Sequence, residues 1–199
     1  MKNLFILSFL IVVSISALAQ DGYTSLHYDV SFGLGNTRDF INTPSFRGVG
    51  FDYRKMASAN VGVGMSMAWH TFYERKDYAT YSFDDGVTSL SGVQYRYLNA
   101  LPLHISTNYY FGEEDAEVRP YLGLGVGTLF SERKTEMGQY AVTTTSWQFS
   151  LQPEVGVLYQ VQSDAYLFLA GKFTTPFKNS DFNSQPFLSL NFGLAWMLQ

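Results

Sequence analysis

Residues 188–198 read LSLNFGLAWML, with a large apolar side chain at every second position from Leu188 to Leu198. Most positions between them hold smaller or polar side chains, such as Asn191 and Gly193. Successive side chains of a β-strand point to opposite faces, so this alternation predicts a strand with one apolar face and one small, polar face. A strand of this length is long enough to cross the apolar core of a membrane.

The same alternation recurs along the rest of the chain and predicts seven more strands. Together with residues 188–198, the sequence therefore predicts eight strands. The other seven span residues 26–35, 48–54, 61–70, 93–110, 119–130, 147–159 and 166–173.

The segments between the predicted strands alternate in length. Short turns at one end and long loops at the other are typical of outer-membrane barrels. The sequence therefore predicts an all-β fold, an eight-stranded antiparallel up-and-down transmembrane β-barrel with both termini on the periplasmic side. The short segments are residues 55–59, 112–118 and 162–164, and the long ones are residues 36–45, 75–92, 131–144 and 175–185.

The N-terminus has the features of a cleaved signal peptide. Lys2 supplies the positive charge, and residues 4–15 are apolar apart from two serines. Ala17 and Ala19 then form an A-x-A cleavage site. We therefore expect a signal peptide at residues 1–19 and an outer-membrane barrel domain at residues 20–199.

The composition excludes several classes of protein. The chain has no cysteine, which rules out a disulfide scaffold and a thiol enzyme, and its formal charge of −4 leaves no basic surplus for nucleic acid. A secreted soluble lipocalin-like barrel would also alternate, but with its apolar face inward. The Gly-, Ala- and Ser-rich small face suits a narrow interior better than a water-facing wall. We therefore expect the large apolar face to meet outer-membrane lipid.

Charged residues at inward positions predict a filled interior. Three acids and three bases fall on the small face of the strands, and buried charges persist when they are paired. We expect them to form an ion-pair network that closes the lumen to ions. The six residues are Asp29, Asp52, Arg54, Arg96, Glu154 and Lys172.

Two prolines interrupt the predicted strands. Pro102 and Pro153 each lack the N–H that a strand donates to its neighbour, so we expect a β-bulge at both positions. A bulge changes the pairing register beyond it, which leaves the register of the fourth and sixth strands open.

No catalytic, cofactor or metal site is predicted. The glycine-rich residues 123–127 lack the Lys-Ser/Thr of a phosphate loop, and no Ser, His and Asp grouping can be assigned. His27, His70 and His104 lie on the inward face of different strands without metal-ligand spacing, so we expect them to form hydrogen bonds in the lumen. The protein is therefore not expected to be an enzyme.

The connection at residues 75–92 is the predicted binding loop. It is the longest connection, and it combines aromatic with charged side chains, which suits recognition of a polar surface. Its candidate binding residues are Tyr78, Tyr81 and Phe83.

Three segments resemble a known family. YLNALPL at residues 97–103, YYFG at residues 109–112 and RPYLGLGVG at residues 119–127 resemble the small outer-membrane β-barrel proteins of the Bacteroidota, which include PorT-like proteins. The resemblance implies an OmpA/OmpX-like eight-stranded barrel without catalytic residues and, for PorT-like members, a part in type IX secretion. The chain departs from the usual assembly signal because it ends WMLQ and not in an aromatic residue. Recognition by the barrel-assembly machinery would then depend on the alternation and on Trp196.

The sequence favours a non-enzymatic outer-membrane barrel that acts in surface binding or envelope integrity through its loops. One alternative is a PorT-like accessory of type IX protein secretion, and another is a secreted soluble lipocalin-like ligand-binding barrel. The expected partners are outer-membrane lipid, the barrel-assembly machinery and a surface or secretion-system protein. No cofactor is expected.

Overall fold

The computed structural model describes residues 22–83, 88–113, 116–180 and 182–198, and the signal peptide predicted at residues 1–19 lies outside them. The described residues form one closed barrel. No helix among them is long and apolar enough to span a membrane. The elements are β1 (Gly22–Gly33), α1 (Asn36–Phe40), β2 (Ser45–Ser58), β3 (Val61–Phe83), β4 (Thr88–Tyr110), β5 (Val118–Met137), β6 (Tyr140–Gln162), β7 (Ala165–Pro176) and β8 (Phe187–Leu198).

Closure of the barrel joins the first strand to the last. Each strand pairs antiparallel with its chain neighbours, and β1 pairs along its whole length with β8, from Gly22 with Leu198 to Gly33 with Phe187. A closed sheet pairs its backbone N–H and C=O groups internally, which is what a strand needs where water is absent. The predicted eight-stranded antiparallel barrel is confirmed.

Four consecutive strands are longer than the other four. β3, β4 and β6 have 23 residues each and β5 has 20, whereas β2 has 14 and β1, β7 and β8 have 12. The extra length lies at the end opposite the termini, where β3 and β4 stay paired up to Phe83 and Thr88. We call this extension the protruding sheet; it comprises residues 71–83, 88–99, 131–137 and 140–146.

Two of the predicted long loops are therefore wrong. Residues 75–92 and 131–144 are largely strand, although residues 84–87 lie outside the described part of the chain. In the second hairpin Met137 pairs with Tyr140, and Gly138 adopts a φ of 58°, a left-handed conformation that favours glycine. The polar composition of residues 75–92 and 131–144 predicts loops. A hairpin surrounded by water, however, can carry polar side chains on both faces while its backbone remains paired.

The β-bulges expected at the two prolines are wrong as well. Pro102 pairs with Leu129, and Pro153 pairs with Leu124, both within an unshifted register. On the β3 side of Pro102 the ladder omits two residue pairs, yet its register is the same before and after that gap. The missing N–H therefore interrupts the ladder locally without inserting a residue. The register shifts lie between Asp29 and Ser31, Met56 and Ser58, Lys76 and Ala79, and Gln160 and Gln162.

The outer wall of the barrel carries the large apolar set. Ile105 is 72% exposed and Leu26 is 54% exposed, and the outward residues beside them are also apolar. A lipocalin-like barrel needs its apolar face inward, so that alternative is wrong. Aromatic side chains ring this wall at both ends, with Trp69 and Trp147 toward the protruding sheet and Tyr109 and Tyr159 toward the termini.

The interior is built in three layers. An apolar, tyrosine-rich layer closes the end where β1 begins and β8 ends, which we call the turn end. A second apolar layer, including Phe72, Leu98 and Phe187, closes the opposite end, which we call the mouth. Buried polar and charged side chains lie between the two layers. The first layer comprises Tyr23, Met56, Tyr110, Tyr121, Leu158, Tyr166, Phe168, Ala170 and Ala195.

Candidate functional site

Four charged side chains form an ion cluster in the middle of the lumen. The Arg54 guanidinium lies 3.3 Å from the Glu154 carboxylate and 3.7 Å from that of Asp52. From another wall, Lys172 Nζ donates to both Asp52 oxygens, at 2.9 Å and 2.7 Å. All four residues are buried. We call Asp52, Arg54, Glu154 and Lys172 the central ion cluster.

Neutral groups complete the hydrogen bonding of the central ion cluster. Arg54 Nε donates to Asn108 Oδ1 at 2.6 Å, and its Nη1 donates to the Met65 carbonyl at 2.8 Å. The Tyr121 hydroxyl donates to Glu154 Oε1 at 2.6 Å. Two cations thus balance two carboxylates, and each charge has more than one partner, which offsets the cost of removing it from water.

Asp29 lies in a separate group of hydrogen-bonding side chains. Its carboxylate lies 2.5 Å from His27 Nδ1 and accepts a hydrogen bond from the Asn191 amide. His70 Nδ1 shares a hydrogen bond of 2.9 Å with the Ser31 hydroxyl. His27 Nε2 lies 3.4 Å from Asp52, which connects this group to the central ion cluster.

The third histidine also makes a hydrogen bond in the lumen. His104 Nε2 lies 2.8 Å from the Ser150 hydroxyl, and both residues are buried. Within the described residues no three His, Cys, Asp or Glu side chains are placed to hold a metal ion. All three histidines thus form hydrogen bonds inside the lumen, as the sequence predicts.

Arg96 is not part of the lumen network, which corrects the expected pairing of three acids with three bases. Its Nε donates to Gln94 Oε1 at 2.6 Å and its Nη1 donates to the Phe40 carbonyl at 3.0 Å. Parity places Arg96 inward, as expected, but its strand pairing with Thr135 puts it above the apolar layer that closes the mouth. The alternation predicts on which face of the strand a side chain lies. It does not predict the position of that side chain along the barrel axis.

A cavity of about 390 Å³ opens at the mouth. Two arginines face it, and both stack on Phe40: Arg96 Cζ lies 5.3 Å from the ring centroid and Arg133 Cζ lies 3.9 Å from it. Arg133 was not among the residues predicted from the sequence, although it continues the inward parity of Leu129 and Ser131. We call this space the mouth cavity; its walls include Phe40, Gln94, Arg96, Arg133, Asn183 and Gln185.

The three candidate binding residues do not lie together in a loop. Tyr78 is 73% exposed, whereas Tyr81 lines the mouth cavity and donates its hydroxyl to the Asp77 carbonyl at 2.6 Å. Phe83 ends β3, where its backbone pairs with Thr88. The expected binding loop is therefore a paired hairpin of the protruding sheet.

Comparison with known proteins agrees with this geometry. The model of a family described as surface antigen matches residues 47–192. No curated protein sequence matches the chain.

Solved structures of small outer-membrane barrels have the same fold. OprG from Pseudomonas aeruginosa is 13% identical, with a TM-score of 0.59 over 91% of this chain and 97% of that chain. Ail, the attachment invasion locus protein of Yersinia pestis, is 12% identical, with a TM-score of 0.58 over 91% and 100%. Neisserial surface protein A is 14% identical, with a TM-score of 0.55 over 88% and 96%.

Proposed function

The chain belongs to the surface antigen family, and we propose that it is a non-enzymatic outer-membrane barrel that binds a partner at the cell surface through its protruding sheet. The observation that carries the proposal is the extension of β3–β6 beyond the apolar wall. Such an extension contributes nothing to crossing a membrane. It does expose a paired sheet with polar and charged side chains on one side of the membrane.

The outward residues of β5 mark where the membrane would end. From the turn end they are apolar, with Leu122, Leu124 and Val126 about half exposed, whereas the outward positions beyond residue 131 hold Glu132, Lys134 and Glu136. Charged side chains on a lipid-facing wall cost free energy, so the strand leaves the lipid near Glu132. The rings of aromatic side chains at both ends of the apolar wall match the two lipid interfaces.

The filled lumen supports binding rather than transport. The central ion cluster lies between two apolar layers, and Phe72, Leu98 and Phe187 at the mouth are fully buried. An eight-stranded barrel is only wide enough for its own side chains, and here those side chains occupy the cross-section. The surfaces that remain for a partner are the protruding sheet, the mouth and the turns.

The described ends of the barrel strands support an orientation with the turn end in the periplasm. Gly22 and Leu198, the first and last described residues, pair at the turn end, and the short turns of outer-membrane barrels face the periplasm. In this orientation the protruding sheet and the mouth face the outside of the cell. The signal peptide at residues 1–19 would deliver the chain to the periplasm.

Ail supports a surface role by its fold and its name. It is described as an attachment invasion locus protein, and it has the same barrel architecture. The narrower resemblance to PorT-like barrels of the Bacteroidota suggests a secretion accessory, whose partner would be reached from the periplasm. The two roles predict contacts at opposite ends of the barrel.

Photo-cross-linking in living cells tests the proposal. The chain has no cysteine, so one introduced cysteine carries the photoreactive label. We compare Tyr78→Cys on the protruding sheet, Ala59→Cys at the turn end and Leu124→Cys on the outer wall, all at exposed positions.

A discrete protein or glycan adduct from Tyr78→Cys, absent from Leu124→Cys, is the expected result. An adduct from Ala59→Cys alone would overturn the proposal in favour of a secretion accessory. If neither Tyr78→Cys nor Ala59→Cys gives an adduct, no partner contacts either end of the barrel. This result would also contradict the proposal.

A further inference from the structure

The mouth cavity has the size and the polar walls of a ligand site. Its volume of about 390 Å³ lies within the range of small-molecule pockets. Its walls come from five parts of the chain: α1, Tyr81 of β3, the inner faces of β4 and β5, and the loop between β7 and β8. The barrel below it is closed by the apolar layer that contains Leu98 and Leu129. The cavity is therefore a cup and not the entrance to a channel.

Two arginines concentrate positive charge on one wall of the mouth cavity. Leu98 of β4 pairs with Arg133 of β5, so Arg96 lies diagonally next to Arg133 on the same inward face. Both guanidinium groups pack on the ring of Phe40, which holds them at the cavity surface. Burial and the neighbouring charge of Arg96 lower the pKa of the Arg133 guanidinium. The two guanidinium charges therefore repel each other at this wall.

The carboxylate nearest to this pair in the strand ladder is already engaged elsewhere. Glu74 of β3 is the cross-strand partner of Arg96, but it accepts hydrogen bonds from Lys76 Nζ at 3.0 Å and from the Asn42 N–H at 3.1 Å. Neither guanidinium lies within 4.0 Å of an acidic side chain in the described parts of the chain, whereas Arg54 in the lumen faces two carboxylates. Asp39 lines the cavity but is exposed and forms no ion pair with either arginine. The chain therefore pairs its fully buried arginine internally and leaves Arg96 and Arg133 facing an open cup.

We infer that the mouth cavity binds a phosphate or sulfate ester of a sugar. Planar guanidinium groups make paired hydrogen bonds to the oxygens of a tetrahedral oxyanion, and two neighbouring ones together match the three terminal oxygens that a phosphate and a sulfate ester share. The exposed amide of Asn183 lines the same cavity and suits a hydroxyl group of the sugar, while the buried amides of Gln94 and Gln185 make the wall behind it polar. This site goes beyond the proposed function, which concerns the protruding sheet.

Calorimetry on the purified, folded barrel in a polyoxyethylene detergent tests the inference. The probes are glucose 6-phosphate, glucose 6-sulfate, glucose and inorganic phosphate. We expect at least one ester to bind and glucose not to bind. Tighter binding of the phosphate ester points to a phosphorylated sugar of a lipid headgroup, and tighter binding of the sulfate ester points to a sulfated glycan; either result supports the site.

Three variants separate the site from general surface charge. Arg133→Gln should weaken ester binding at least tenfold. Lys134 is the next residue of β5 and lies on the opposite face, so Lys134→Gln should leave ester binding unchanged. Asp39→Asn should tighten it, because a carboxylate at the cavity wall repels the ester.

Three results would overturn the inference. These are no binding of either ester to the native barrel, equal losses in Arg133→Gln and Lys134→Gln, and equal affinity for inorganic phosphate and the ester, which would remove the sugar from the assignment. Heat-modifiable gel migration shows that each variant is folded. Because the purified protein has no surface partner, a failure here is independent of the cross-linking result.

Discussion

Lys172 Nζ lies 2.7 Å from Asp52 Oδ2 across the lumen, although the two residues are 120 positions apart in the chain. Asp52 projects from β2 and Lys172 from β7, strands that are not neighbours in the barrel. The contact exists only because the sheet closes and brings the two inner walls within reach of one another. An intact contact between Asp52 and Lys172 is therefore direct evidence that the barrel is closed.

Asp52→Asn should destabilise the barrel strongly. The substitution leaves Lys172 buried without a carboxylate, and breaking a buried pair in this way costs about 3–5 kcal/mol. The double variant Asp52→Asn, Lys172→Met should recover much of this loss, because no unpaired charge remains. Unfolding by urea from lipid vesicles measures the free energy.

The matched control for this pair lies on the protruding sheet. Lys134 and Glu136 form a partly exposed ion pair at 2.5 Å, and Lys134→Gln should cost less than about 1 kcal/mol because water reaches both groups. A double variant at Asp52 and Lys172 that is less stable than Asp52→Asn alone would contradict the assigned role of the pair.

Gly50→Ala should destabilise the barrel by about 1–3 kcal/mol, the usual cost of overpacking an interior. A Cβ atom at Gly50 would lie 2.2 Å from Cε1 of His27, so the ring that contacts Asp29 would have to move. Gly171→Ala is the control, since its Cβ atom meets nothing closer than 3.9 Å. Similar stabilities of the two variants in urea would show that the lumen is loosely packed.

Leu190→Arg should impair folding into bilayers by about 2–4 kcal/mol, because this outward side chain of β8 lies on the apolar wall. Ser180→Arg, in the exposed loop between β7 and β8, should fold as the native chain does. Folding yield into vesicles, read from heat-modifiable migration, gives the comparison. Equal yields of the two variants would mean that the outer wall does not meet lipid.

The barrel should pass no steady ionic current. The central ion cluster and the two apolar layers fill the cross-section, so ions have no continuous wet path. Planar-bilayer recordings of the native protein measure this directly. A stable, ion-selective conductance would refute the filled lumen.

The tip of the β3–β4 hairpin should be dispensable for folding. Replacing residues 79–92 by Asn-Gly removes the strand pairs from Ala79 with Gly92 outward and keeps the pair of Lys76 with Gln94. These residues contribute no side chain to the central ion cluster, so the shortened protein should insert and migrate as the native one does. Loss of folding would show that the hairpin is structural and not a surface for a partner.

Much of the fold could be predicted from the sequence because a strand has a simple local period. The alternation at residues 188–198 identified both the strand and its apolar face, and the same rule placed Asp52, Arg54, Glu154 and Lys172 inside. The sequence also lacks the residue spacing that is typical of a metal site or a phosphate loop. These inferences depend only on the geometry of neighbouring residues along one strand.

The sequence did not predict where the strands end at the mouth. Composition favoured loops at residues 75–92 and 131–144, but once a strand leaves the membrane, polar side chains no longer distinguish a paired hairpin from a loop. The sequence also did not predict the effect of Pro102 and Pro153. A missing N–H can be accommodated by the loss of one hydrogen bond between two strands, without a bulge, and the sequence does not show which of the two occurs.

Only the tertiary structure decided which inward residues meet. Parity placed both Arg54 and Arg96 inside, yet Arg54 joins the central ion cluster, while Arg96 stacks with Arg133 on Phe40 at the mouth. The stagger between neighbouring strands sets the height of each residue along the barrel axis, and closure sets which walls face each other. Both depend on pairings between distant segments, so the period within a strand determines the face of a residue but not its partner.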